Sequence, residues 1–134
     1  MHEGAGSVIW RRGDAAERYA ERRRREAEAP RLLSSVPNLE SLRLEIEERR
    51  ASGSLSEAAH VRRIVVERAP ALFVLPCHDA ACKGGGHDVT QEIMRSLREG
   101  AERFTGEHAC AGQVGSADCH RVLMYVGVAT YKNA

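Results

Sequence analysis

The 134-residue chain has four cysteines, in two separated pairs: Cys77 and Cys82 within PCHDAACKGGGHD (76–88), and Cys110 and Cys119 within ACAGQVGSADCH. Both stretches are rich in glycine and fall between segments that read as regular structure. This limits the fold more than any other feature. Thiols placed at the ends of elements act as a set only if those ends converge, and glycine supplies the positive-φ turns that let a chain double back there. Thiolates are ligands for a tetrahedral ion at about 2.3 Å, and four of them complete a closed, structural zinc site. The spacings, C-x4-C and C-x8-C, are wider than those of a compact zinc knuckle, so the match rests on placement as well as spacing. Inert buried thiols and disulfides are the competing readings. The expectation is a zinc site made by Cys77, Cys82, Cys110 and Cys119. His78, His87 and His120 are candidate alternative ligands or outer-shell partners.

Length and composition allow one domain with its own core. Net charge is +1 and 29% of residues are charged, so neither a wholly disordered chain nor a nucleic-acid binder defined by overall charge is indicated. No apolar run suits a signal peptide or a membrane span. A cytoplasmic protein without membrane contact is expected, where thiols stay reduced and available to a metal.

Residues 14–29, DAAERYAERRRREAEA, carry helix formers with Asp14 at the N-cap and Pro30 as a stop. Their apolar face is thin. A helical arm over 1–37 is expected, with Arg22, Arg23, Arg24 and Arg25 as the contact to a protein or nucleic-acid partner. Residues 32–38 read as a connector. Leu42, Leu44 and Ile46 then alternate with charged residues, which predicts a half-buried strand over 41–48 whose wet face includes Glu45, Glu47 and Glu48. A loop over 51–59, strands over 61–68 and 71–76, and a helix over 88–102 started by Asp88 follow. Two further strands are expected, RFTGEHAC and HRVLMYVGVATY. The sum is an α+β domain over 38–134: a mostly antiparallel sheet of about five strands, one packed helix (88–102), and cysteine-rich loops at one sheet end.

Residues 71–131 also resemble the thioredoxin-like [2Fe–2S] ferredoxins. The resemblance rests on LFVLPC, the helix start HDVTQEIMRSL, CAGQV and the terminal strand RVLMYVGVATY. It implies cluster ligation by Cys77, Cys82 and Cys110, with Gly112 as the glycine of a C-x-G-x-C pair. The last ligand position of that pair holds Val114, so Cys119 would have to stand in. A [2Fe–2S] electron carrier, or a thiol-based redox protein, is therefore the alternative to zinc.

Motifs for catalysis are missing. The chain has no C-x-x-C, no H-E-x-x-H, and no H-x-E with P-C-x-x-C. KGGGHD matches neither phosphate-loop pattern. Whether the chain is an enzyme is left open, and a binding or regulatory module is the stronger expectation.

Overall fold

The structure is a computed structural model and describes residues 17, 19–50, 56–79 and 81–132. Its centre is a four-stranded antiparallel sheet of β1 (Leu39–Arg49), β2 (Ser56–Ile64), β6 (Arg103–Ala109) and β9 (Val122–Tyr131), in the order β2-β1-β9-β6. The period-two pattern of β1 sets the register. Leu42, Leu44, Ile46 and Glu48 share one face and are opposed on β9 by Ala129, Gly127, Tyr125 and Leu123. All of these but the glycine are buried side chains.

Helix α3 (Thr90–Arg98) packs onto the core through Val89, Ile93, Met94 and Leu97, while Gln91, Glu92, Arg95 and Arg98 stay exposed. It is shorter than the expected 88–102. Asp88 lies in the short strand β5 (His87–Asp88), and Val89 takes the N-cap position. The Asp88 carboxylate still serves the helix start, since the Thr90 N–H donates to its Oδ1 at 3.1 Å. At the other end Gly100 adopts φ +75°, its N–H donates to Leu97 O, and the Ala101 N–H donates to Ser96 O. That pair of bonds is a Schellman closure, and it requires the left-handed residue that glycine supplies.

Several expected boundaries move for identifiable reasons. The 51–59 loop is strand from Ser56 onward, and residues 51–55 lie outside the described residues. The strand expected over 61–68 stops at Ile64, because Arg68 and Ala69 both donate to Val65 O in a turn. The strand expected over 71–76 shrinks to β3 (Val74–Leu75), paired only with β5. Its apolar residues Phe73 and Leu75 are buried in the core without belonging to the main sheet. The connector over 32–38 contains a helical turn, α2 (Leu32–Ser35), and Leu32 and Val36 are buried in the core. The expected arm helix is seen as α1 over 19–28, with residues 14–16 and 18 outside the described residues.

Two glycines are matched to rings across the β6–β9 pair. Phe104 stands opposite Gly127, and Tyr125 stands opposite Gly106. A Cβ on either glycine would run into the ring that covers it. The two rings meet edge to face at 6.4 Å.

Candidate metal centre

The four cysteines reach one point from two structural units. Cys77 follows β3 by two residues, and Cys82 opens β4 (Cys82–Lys83). Between them the Ala81 N–H donates to Asp79 Oδ1 at 2.9 Å and the Cys82 N–H donates to Asp79 O at 3.0 Å, which folds the segment into a knuckle. The second pair flanks a small hairpin, β7 (Gln113–Val114) and β8 (Ala117–Asp118), turned at Gly115 with φ +63°. The Cys110 N–H donates to Arg121 O at 2.8 Å, so this unit continues the β6–β9 ladder beyond the strand ends. The units join where β4 pairs with β7, placing Cys82 opposite Val114. Val114 is the residue at the ferredoxin-like ligand position, and Cys119 supplies the fourth sulfur instead.

All four Sγ atoms lie within 4.8 Å of one another, and the Cys77–Cys119 and Cys82–Cys110 pairs are each 3.6 Å apart. A tetrahedron with bonds of 2.3 Å has edges of about 3.8 Å, so the four thiols are compatible with a single metal ion. The glycines make this approach possible. A Cβ on Gly85 would collide with the sulfurs of Cys110 and Cys82, and one on Gly112 would collide with Cys82 Sγ and the backbone of Gly85. The Gly86 and Gly112 N–H groups donate to Cys110 Sγ at 3.3 and 3.5 Å.

The thiols differ electrostatically. Burial and the Cys110 neighbour push Cys82 up to about 11. Burial likewise pushes Cys77 well above the ordinary thiol value. Cys110 is buried too, but the N–H groups of Gly86 and Gly112 outweigh that burial and hold it below the ordinary value. Cys110 is thus a readier thiolate than Cys77 or Cys82.

A buried polar group stands behind the cysteines. Glu48 is 4% exposed and His87 is 0% exposed. The His78 N–H donates to Glu48 Oε1 and Oε2 at 2.9 and 3.2 Å, His87 Nε2 is 3.5 Å from Oε2, and Cys77 Sγ is 3.8 Å from Oε1. Arg121 reaches both Glu48 and Asp79, at 3.9 and 3.8 Å. His87 Nδ1 pairs with His108 Nδ1 at 2.9 Å. Burial depresses the His87 pKa against the pull of Glu48, so the ring is held neutral more readily than a free imidazole.

Of the three candidate histidines, His87 belongs to this buried group. His78 contributes its backbone N–H, and His120 is exposed beside Cys119 with φ +60°. Among the described residues, the group able to surround an ion comprises the four cysteines alone. Glu48 corrects the sequence expectation that placed it on the wet face of β1. Residues 42, 44, 46 and 48 have one parity, and that signal is sufficient to place the carboxylate inside.

The arginine run is mostly engaged within the chain. Arg23 donates to the Tyr19 hydroxyl and lies over its ring, Arg24 pairs with Glu21, and Arg25 pairs with Asp88 at 3.0 Å. Arg22 lines a groove of about 410 Å³ that also touches Cys77 and Cys82. No helix among the described residues is long and apolar enough to cross a membrane. No protein-family model, curated protein or solved structure matches the chain.

Proposed function

We propose that the chain is a small zinc-binding module in which a closed four-cysteine site fixes the β3–β5 loops to the β6–β9 hairpin, and that it works by binding or regulation rather than by catalysis. The observation that carries the reading is the mutual approach of the four sulfurs within 4.8 Å. Four thiolates around one ion leave no coordination position for water or substrate, which is the mark of a structural site. The same compactness favours one ion over the [2Fe–2S] alternative, because two irons and their bridging sulfides would separate the thiolates into two distant pairs. A cytoplasmic setting, in which thiols stay reduced and available to a metal, completes the reading. The partner, protein or nucleic acid, is assigned to the arginine-bearing face of α1, whose Arg22 borders the cysteine loops.

The test is elemental analysis with a visible spectrum on protein purified without oxygen. One zinc per chain and a colourless solution support the reading. Iron with acid-labile sulfide and a brown colour would replace it with the electron carrier. No metal, with four thiols freely titratable, would remove the site altogether.

A further inference from the structure

The buried face of the main sheet runs out at its β2 edge. His60 and Arg62 oppose Ile46 and Leu44 in register, so they sit on the core side, yet both are exposed. They border a cavity of about 350 Å³. Its apolar floor is Ile46, Leu75 and Leu123. Arg22 enters from α1, Arg62 and His60 from β2, and His78 from the segment after β3.

The charges are unbalanced in one direction. Glu48 is the one acid among the lining residues, and its oxygens already accept the His78 N–H and face His87 and Arg121. The guanidinium groups of Arg22 and Arg62 make no ion pair or hydrogen bond among the described residues. Two guanidiniums that are unpaired among the described residues thus converge, from separate elements, on one concave, apolar-floored space.

We propose that this cavity binds a small organic anion: an oxyanion, carboxylate or phosphomonoester, carried on a short apolar body. A guanidinium presents a fork of donors that matches either oxyanion, and it keeps its charge at any physiological pH. The floor takes the apolar body, and the volume lies in the range of small-ligand sites. A free inorganic anion would leave that floor wet, and a cation would meet two like charges. A nucleic-acid base would find no aromatic ring among the lining residues to stack on. The inference is independent of the metal reading, since none of the four cysteines lines the cavity.

The experiment is calorimetric titration of the full chain, its thiols and metal content held constant, with octanoate, octyl phosphate, octanol and inorganic phosphate. Octanoate or octyl phosphate is expected to bind with Kd below about 1 mM, with octanol and inorganic phosphate at least about tenfold weaker. The ratio of the two octyl anions identifies the oxyanion. Arg62→Gln and Arg22→Gln are each expected to weaken the tighter probe about tenfold, the scale of one lost charged hydrogen bond. Arg43→Gln, on the opposite face of the sheet, is expected to leave binding unchanged. Binding of octanol as tight as octanoate, no effect of Arg62→Gln, an equal effect of Arg43→Gln, or no heat with either octyl anion would each overturn the proposal.

Discussion

Gly112→Ala adds one methyl group where two loops touch. The Cβ would stand 2.7 Å from the Gly85 N and Cα, against the 3.4 Å at which ordinary contact begins, and nearer still to Cys82 Sγ. The loops must therefore part by about 0.7 Å or more, several times the ~0.2 Å within which metal–ligand distances are held. Overpacking of this kind costs about 1–3 kcal/mol. Since the strain is relieved when the knuckles separate, it falls on the metal-bound form, and zinc affinity is expected to drop about tenfold to a hundredfold. Gly84→Ala is the control. Nothing lies within 4 Å of a Cβ there, but φ is +71°, so the cost is the left-handed backbone penalty of about 1–2 kcal/mol. Chelator competition reads affinity and urea unfolding reads stability. Unchanged zinc affinity in Gly112→Ala, or an equal loss in Gly84→Ala, would refute the reasoning that glycine contact sets the sulfur geometry.

Other outcomes are as specific. Cys77 and Cys82 hold their protons above neutral pH in the metal-free chain, so zinc must displace both; affinity is expected to rise by two or more decades per pH unit between about pH 6 and 8, and a flat profile by chelator competition counts against the tetrathiolate. Glu48→Ala leaves the His78 N–H without its buried acceptor and removes the carboxylate that faces His87, and should cost about 2–4 kcal/mol by urea unfolding, whereas a surface-like effect under about 0.5 kcal/mol would show the buried group to be inert. Asp88→Ala should cost about 1 kcal/mol through the lost turn at the start of α3, and Asp88→Asn less. Burial works against the Asp88 charge, but Thr90 and Arg25 overcome it and depress the pKa. Its ionic contribution is therefore present above the ordinary carboxylate range and is lost as pH falls through the depressed value; if Asp88→Asn leaves the acid limb of the unfolding profile unchanged, that coupling is absent.

Local physics makes much of this fold legible. The alternation in Leu42, Leu44 and Ile46 places β1, the stripe Val89, Ile93, Met94 and Leu97 places α3, and the glycine-bound cysteine pairs mark the loops that converge. What misleads is apolar content read without its partner. Phe73 and Leu75 are as apolar as a strand and are buried in the core, yet they lie outside the main sheet, and Val65 O ends β2 by accepting the turn bonds. Glu48 is misplaced when its chemistry is weighed above its parity, and its buried position depends on partners 30 or more residues away in sequence. Pairings of that range, like the contact of Gly85 with Gly112, leave no local trace beyond the small residues that permit them.

The ring-on-glycine pairs between β6 and β9 bear on how this sequence can drift. Gly106 is confined by the ring of Tyr125, and Gly127 by the ring of Phe104, so neither glycine can gain a side chain while its ring stays in place. Each pair is one unit of inheritance: a larger residue at 106 becomes acceptable once 125 has become small, and likewise for 127 and 104. Descendants of this chain should carry correlated exchanges at these positions, while lone exchanges at either glycine are purged.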